Sequence, residues 1–166
     1  MPFVSLRYRF RQPFRVPATL AYEWCTDFGT ADGPLFAQRT ERTVRWLTPD
    51  ALVMRDTTYP GGHRRRIRRL VRLNPREMAW TNTHVDGPFR HSQFWYRVVA
   101  DGLRRSHLEF EGLAVVPTPR ALSPAEQRRR AEQLRRNDSV EWRTHLAPAL
   151  EAEVGSRPAK GRRRSR

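Results

Sequence analysis

The sequence has one cysteine, almost no lysine and no long apolar run. Because Cys25 is the single cysteine, an internal disulfide is excluded, and no cysteine or histidine spacing indicates structural zinc. Unbroken apolar runs reach four residues, whereas a membrane-spanning helix needs roughly 20. Arg7 and Arg9 stand where a signal peptide would need its apolar stretch. These absences predict a soluble, intracellular, cytoplasmic protein without a membrane span.

The signatures of common enzyme classes are missing as well. The chain has no GxSxG, no HExxH, no glycine-rich phosphate loop and no dinucleotide-binding fingerprint. Its histidines lack metal-ligand spacing, so we expect no metal and no cofactor. Cys25 falls inside a predicted helix beside Trp24, where a small buried apolar side chain is favoured over a nucleophile.

Arginine, by contrast, is abundant. Lysine and arginine total 32 against 17 acidic residues, which gives a formal net charge of +15. Such a charge favours contact with polyanions, so nucleic-acid binding is one open hypothesis. At 166 residues the chain has the size of one domain with a sizeable core. We expect a single domain at 1–154 and a flexible basic tail at 155–166.

The N-terminal segment predicts a strand followed by two short helices. Apolar and polar residues alternate from Val4 to Phe10, the period of a half-buried strand, and Pro13 and Pro17 are expected to close it. A stripe of apolar residues at four-residue spacing follows. We therefore expect a helix that ends at Gly29 and then one more short helical turn.

The middle of the chain predicts an antiparallel meander. Turn signals such as YPGGH and VDGPF recur about every dozen residues, a cadence typical of short strands joined by hairpins. No helical stretch intervenes to carry a parallel crossover, so neighbouring strands should pair antiparallel. The six expected strands lie near 38–47, 51–59, 63–73, 77–85, 89–100 and 104–116.

A long helix is predicted at the C-terminal end. Ser123, Pro124 and Glu126 fit a capping box, and apolar residues then recur at three- and four-residue steps to Leu150. Pro148 removes a backbone hydrogen bond, so we expect a kink or break just before it. Only this helix is long enough to cover the open sheet face. A curved sheet around a helix leaves a hollow between the layers, which is a natural ligand site.

The predicted architecture is α+β: a seven-stranded antiparallel curved sheet wrapped around the C-terminal helix, with two short helices after the first strand. The opening FRQPFRVPATLAYEWCTDF and the segment NPREMAWTNTHVDGPFRHSQFWYRVV lie within this order of elements. Both resemble the START/Bet v1-like (SRPBCC, helix-grip) superfamily, which includes polyketide cyclase/dehydrase-like and lipid-transfer proteins. The resemblance covers roughly residues 3 to 154. It implies a cavity for a small hydrophobic or aromatic ligand, lipid- or polyketide-like.

Strand alternation indicates which side chains face this hollow. Four polar residues share the inward register with apolar residues, where an unpaired polar group costs about 1–3 kcal/mol: Asp56, Asn82, His84 and Tyr96. They therefore either satisfy one another or meet a polar group of a ligand. A slip of one residue at a bulge would turn them outward. The predicted ligand-binding residues are Trp46, Met54, Asp56, Trp80, Asn82, His84, Phe94, Tyr96 and Phe110.

The run HRRRIRRLVR at 63–72 places arginines on both faces of one strand. Arg65 and Arg69 fall on the inward side, so they either lie near the pocket mouth or mark irregular strand geometry. An arginine in the pocket would favour a carboxylate or phosphate. On the last strand, Glu109 and Glu111 share one face and are predicted to pair with arginines of neighbouring strands.

Three functional hypotheses follow. The favoured one is a cavity protein that binds a small apolar or aromatic ligand. The second is a cyclase or dehydrase in which His84, Tyr96 or Asp56 polarises or deprotonates the substrate. The third is a basic module that binds nucleic acid through the arginines at 64, 66 and 68 and the tail. The identity of the ligand and the oligomeric state are not predicted.

Overall fold

The computed structural model describes residues 2–29, 35–36 and 39–156. Within these residues the strands are β1 (Phe3–Phe14), β2 (Thr40–Thr48), β3 (Ala51–Thr58), β4 (Arg65–Asn74), β5 (Ala79–Asp86), β6 (Gln93–Ala100) and β7 (Ser106–Pro117). The α-helices are α1 (Ala18–Thr26), α2 (Pro124–Glu141) and α3 (Ala147–Ser156).

The strands form one antiparallel sheet in the order β1-β7-β6-β5-β4-β3-β2. Strands β2 to β7 are a meander, and β1 pairs with β7 along its whole length, from Phe3 opposite Pro117 to Phe14 opposite Ser106. The edges of the sheet are therefore β1 and β2. The predicted seven-stranded antiparallel sheet and α+β class are confirmed.

Strand boundaries agree with the predicted ones to within a few residues. β1 was expected to close at Pro13 and Pro17, and it passes through Pro13 and ends at Phe14, between the two. Proline is tolerated there because β1 is an edge strand, whose outer backbone groups need no ladder partner. The later starts of β5 and β6 follow turns in which Met78 and His91 take positive φ angles of 49° and 73°.

Helix α1 ends at Thr26, three residues before the predicted end at Gly29. The second short helix was predicted across residues 29 to 36 and falls largely on residues 30–34, outside the described residues. Helix α1 buries Ala21, Tyr22 and Trp24 against the core.

The C-terminal helix begins with the predicted capping box. The Ser123 side chain accepts from the Glu126 backbone N–H, and the Glu126 carboxylate accepts from the Ser123 N–H at 2.8 Å. The helix continues to Ser156, beyond the predicted domain boundary at 154, and the remainder of the predicted tail lies outside the described residues. A turn of π-helix at Trp142–Leu146 separates α2 from α3. This irregularity lies just before Pro148, as predicted, because proline cannot donate the next helical hydrogen bond.

The core lies between the inner face of the sheet and the three helices. Leu52, Val71 and Leu108 on the sheet and Leu150 on α3 are fully buried there. Within the described part of the chain, no helix is long and apolar enough to cross a membrane. Between these layers the packing leaves a cavity.

Candidate functional site in the cavity between sheet and helices

A cavity of about 330 Å³ lies between the inner face of the sheet and the helices. Its floor comes from alternate residues of the strands, because a two-residue period sends every second side chain inward. Its cover comes from Trp24 on α1, Leu134 and Asp138 on α2, and Trp142 on the π-helical turn. Every element that the sequence predicted around the hollow therefore contributes to its wall.

Aromatic rings form most of the apolar floor. Trp80 and Tyr96 stand opposite each other on β5 and β6, and their rings stack 4.8 Å apart with 2° between their planes. Phe110 meets Tyr96 edge-on at 5.1 Å, and Phe94 lies 6.0 Å from Phe110. Stiff rings held by several neighbours keep their shape when nothing is bound, which favours a preformed site for a flat apolar molecule.

A buried cluster of charges borders this floor. The Arg42 guanidinium on β2 binds the Asp56 carboxylate on β3 with two hydrogen bonds, of 2.8 and 3.1 Å. Arg69 on β4 donates to the second oxygen of the same carboxylate. Both Arg42 and Arg69 line the cavity, and Asp56 lies behind them with 3% exposure. Two guanidinium groups thus share one carboxylate at the cavity wall.

Alternation along β4 directs Arg69 into the site. β4 pairs with β3 without a register shift, so Arg69 keeps the inward register of Val71. The pairing of β4 with β5 shifts between Arg68 and Arg69, but the extra residue, Val85, is on β5, and Arg69 stands opposite His84. Of the two alternatives stated from the sequence, Arg69 fulfils the first, since it lines the cavity. Arg65, its predicted companion on the inward side, is exposed.

Three polar atoms on the cavity wall are buried and have no hydrogen-bond partner: Arg69 Nε, Asn82 Oδ1 and His84 Nδ1. They lie on two adjacent strands. Arg69 on β4 is opposite His84 on β5, and Asn82 lies two residues before His84 on the same face of β5. An unpaired buried polar group costs about 1–3 kcal/mol. Their common position makes one polar patch on the sheet side of the cavity, beside the aromatic floor.

Burial controls the protonation of this patch. It lowers the pKa of His84 from 6.5 to about 3, with a further decrease from the Arg69 guanidinium, so the imidazole is neutral. Burial also raises the pKa of the Tyr96 phenol, and the Asp138 carboxylate raises it further, so this hydroxyl keeps its proton. The site therefore presents a neutral imidazole and a phenolic donor beside a guanidinium.

Tyr8 joins the opposite wall to the helix. Its hydroxyl on β1 donates to the Asp138 carboxylate on α2 at 2.7 Å, and burial raises the pKa of both groups. The ring needs the glycine beneath it, because a Cβ at Gly112 would lie 2.8 Å from two Tyr8 ring atoms. Gly112 pairs with Tyr8 on one side and with Phe94 on the other. The missing side chain thus makes room for the contact between sheet and helix.

Removing this hydroxyl tests the contact. Tyr8→Phe is expected to lower the free energy of unfolding by about 1–3 kcal/mol, since Asp138 would lose its donor in a half-buried position. Urea denaturation followed by circular dichroism gives the value. Tyr59→Phe is the matched control, because Tyr59 donates at 3.1 Å to the exposed Glu41 and should change stability much less. Equal effects of the two substitutions would contradict the role assigned to Tyr8.

The fold of this protein is similar to that of several solved structures. No family model and no curated protein matches the sequence. The Zhui aromatase/cyclase from Streptomyces sp. R1128 matches with a TM-score of 0.68 at 18% identity, covering 96% of this chain and 99% of that one. A START superfamily protein from Mycobacterium smegmatis matches with a TM-score of 0.63 at 18% identity, over 90% and 97% of the two chains. The protein has the START/Bet v1-like helix-grip fold.

A third match has a helix-grip structure with bound aromatic molecules. Norcoclaurine synthase from Thalictrum flavum, solved in complex with dopamine and hydroxybenzaldehyde, has a TM-score of 0.67 at 11% identity, over 95% of this chain and 91% of that one. At these identities the likeness establishes the fold. The fold predicted from the order of elements is thereby confirmed.

The helix-grip cavity brings together most of the residues selected from the sequence. Those that line it are Met54, Trp80, Asn82, His84, Phe94, Tyr96 and Phe110. Asp56 does not reach the cavity surface and instead holds the two arginines that do. Cys25 lines the cavity as well, and burial raises the pKa of its thiol, which opposes nucleophilic reactivity.

Trp46 is placed differently from the prediction. It lies opposite the fully buried Leu52, so its inward direction is as expected, but it does not line the cavity and is 47% exposed. The reason is its strand: β2 is an edge of the sheet, and Trp46 stands near its end, next to a register shift before Thr48. Alternation predicts the direction of a side chain, whereas its burial depends on the position of the strand in the sheet.

Arg42 and Asp138 line the cavity, but neither was predicted as a site residue from the sequence. Arg42 shares the two-residue register of Val44 on β2, so alternation already pointed it inward. Asp138 follows Leu134 by four residues and precedes Trp142 by four, which places it on the apolar stripe of the helix. Both signals were present, but a charged residue on an apolar face is expected at the surface unless its partner is known.

Proposed function

We propose that this protein binds a small aromatic or otherwise apolar molecule that carries an acidic or hydroxyl group. The observation that carries the proposal is that polar atoms without partners lie among apolar side chains on the cavity wall. Aromatic and aliphatic side chains surround three buried polar atoms without partners, on Arg69, Asn82 and His84. A ligand group that pairs with them recovers the free energy that their burial costs.

The donors and acceptors define the polar end of this ligand. Arg69 Nε donates a hydrogen bond and Asn82 Oδ1 accepts one, so a hydroxyl or a protonated acid can pair with both. The cluster of Arg42, Arg69 and Asp56 carries one excess positive charge, which favours a carboxylate or a phosphate. Asp138 on the helix side of the cavity disfavours an anion there. The acidic end of the ligand therefore points towards the sheet.

The size and lining of the cavity suit a compact ring system. A volume of about 330 Å³ is near the lower end of the range for small-molecule sites. Trp80 and Tyr96, stacked on each other, give the cavity an aromatic lining together with Phe94 and Phe110. The comparisons support an aromatic ligand, since one similar structure contains dopamine and hydroxybenzaldehyde and another is named as an aromatase/cyclase.

Calorimetric titration with a charged and a neutral probe tests the proposal. The wild-type protein is expected to bind 2-naphthoic acid at one site and more tightly than the neutral 2-naphthylmethanol. Arg69→Met should weaken binding of the acid about 10- to 100-fold, the worth of one charge-assisted hydrogen bond, and change that of the alcohol little. The Asp56 carboxylate keeps its pair of bonds to Arg42 in this variant.

The matched control is Arg68→Met. Arg68 precedes Arg69 on β4 but is exposed, so the net charge changes equally while the cavity is unaltered. Thermal denaturation of both variants verifies that they fold. The proposal is rejected if neither probe binds at a single site, or if the two arginine substitutions weaken binding of the acid equally.

A second candidate is an enzyme of the polyketide cyclase or dehydrase type. It is favoured by Tyr96 and Arg69, which can polarise a carbonyl with protonated donors, beside the neutral imidazole of His84. In such a step the α-carbon next to one carbonyl loses a proton and attacks the carbon of the other carbonyl. The oxygen of the attacked carbonyl then takes up a proton and leaves as water together with a second α-proton, which gives an enone. Cyclodehydration of a linear diketone, followed by the absorbance of the enone product, tests it. Turnover that survives both Tyr96→Phe and His84→Gln would remove this candidate.

A further inference from the structure

The face of the sheet opposite the cavity, here called the outer face, is rich in arginine and carries an exposed tryptophan at its centre. Trp95 on β6 points outward and is 38% exposed. A groove of about 670 Å³ runs past it, bordered by Arg9, Arg72 and Arg97. This groove lies on the opposite face of the sheet from the cavity, because adjacent residues of one strand point to opposite faces and Phe94 and Tyr96 face inward. Trp80, Tyr96 and Phe110 border both spaces.

The strand pairing places Trp95 midway between two arginines. In one row across the sheet, Arg9 is opposite Glu111, Glu111 is opposite Trp95, Trp95 is opposite Thr81 and Thr81 is opposite Arg72. Neighbouring strands lie about 4.8 Å apart, so each arginine backbone is roughly 10 Å from that of Trp95. Arg97 follows on the same strand and the same face, about 7 Å along it.

Positive charge predominates on this face. Glu111 is held by Arg7 and Arg9, and Glu109 by Arg11 at 2.7 Å, as the sequence predicted. Arg72 and Arg97 form no ion pair with a carboxylate of the described residues. The outward arginines along the sheet are Arg7, Arg9, Arg11, Arg45, Arg55, Arg66, Arg68, Arg72 and Arg97, and the outward carboxylates are Glu41, Asp86, Glu109 and Glu111.

We infer that the outer face is a binding surface for a single-stranded nucleic acid, with one base stacked on Trp95 and the flanking phosphates paired with Arg72 and Arg97. A flat aromatic ring between rows of guanidinium groups provides both elements that such a strand needs, a stacking platform and cations for its backbone. A duplex does not fit this arrangement, because its bases are stacked inside and cannot reach Trp95. The inference is independent of the proposed cavity ligand, since it uses the other face of the sheet.

Fluorescence anisotropy with fluorescein-labelled oligouridylate and oligothymidylate of twenty nucleotides tests this inference on the full chain. Trp95→Leu is expected to weaken binding about 5- to 150-fold, the worth of one stacked base, whereas Trp95→Tyr should retain most of the affinity. The double variant Arg72→Gln/Arg97→Gln should lower the slope of log affinity against log salt by about 1.4, as expected for two lost phosphate contacts.

A control of equal charge is available on α2. Arg129→Gln/Arg130→Gln removes two exposed arginines from another surface and should leave the Trp95-dependent affinity unchanged. Every variant keeps the basic residues 157–166, and thermal denaturation verifies that each variant folds. The inference is overturned if Trp95→Leu binds the oligonucleotides like the wild type, or if the two double variants lose affinity equally. It is also overturned if polyphosphate or anionic vesicles bind as tightly as the oligonucleotides.

Discussion

Replacing Asp56 with asparagine is expected to lower the free energy of unfolding by about 3–5 kcal/mol. The carboxylate is the shared partner of Arg42 and Arg69, and all three groups are largely withdrawn from water. Asparagine nearly preserves the shape of the side chain but removes its charge, so two buried guanidinium groups would face each other without a counter-ion. Urea denaturation at neutral pH, followed by circular dichroism, measures the loss.

Asp50→Asn is the control for this substitution. Asp50 is an exposed residue that accepts a hydrogen bond from the Thr48 hydroxyl at 2.6 Å, so removal of its charge should have little effect. Part of the loss in Asp56→Asn should return when 2-naphthoate is added, because a bound carboxylate supplies a counter-charge to Arg69. A change below about 1 kcal/mol for Asp56→Asn would contradict the stabilising role assigned to the cluster.

The second large effect is expected in the pH dependence of stability. The unfolded imidazole of His84 takes up a proton below its ordinary pKa of 6.5, whereas in the folded protein burial keeps it neutral down to about pH 3. Protonation therefore favours the unfolded state throughout this interval. As the pH falls from about 6.5, His84 should subtract up to about 1.4 kcal/mol of stability per pH unit.

This contribution is isolated by comparing two variants with the wild type. His84→Leu removes the buried imidazole, so its free energy of unfolding should fall less between pH 6.5 and pH 4 than that of the wild type. His63→Gln removes an exposed imidazole and serves as the control. Urea titrations at half-unit steps of pH give the three curves. Parallel curves for the wild type and His84→Leu would show that the buried imidazole is not kept neutral by the fold.

Much of the fold could be predicted because its signals are local. Alternation over two residues gave the inward face of each strand, and turn motifs such as YPGGH and VDGPF separated the strands. The capping box at Ser123 located the start of α2, and Pro148 indicated the irregular turn before it. The passage of β1 through Pro13 could not be foreseen in the same way. It depends on β1 being an edge strand, which is a property of the assembled sheet.

Part of the candidate site was also predictable, because the inward register of strand residues is a local signal. Asn82, His84 and Tyr96 were selected because polar side chains stood in an inward register, and the structure places all three on the cavity. The grouping of Arg42, Asp56 and Arg69 was not foreseen. It requires the register of three neighbouring strands at once, which is not encoded in a short window of sequence.

The amino-acid sequence alone determined the order of the elements, the antiparallel meander and the face to which most strand residues point, since these follow from interactions between residues near one another in the chain. Only the tertiary structure decided which polar side chains find partners. It pairs Asp56 with two arginines and leaves one atom each of Asn82 and His84 without a partner. It also placed Trp95 between Arg9 and Arg72 on the outer face. Hydrogen bonds and ion pairs form at short range between distant segments, and the packing of the whole sheet sets those distances.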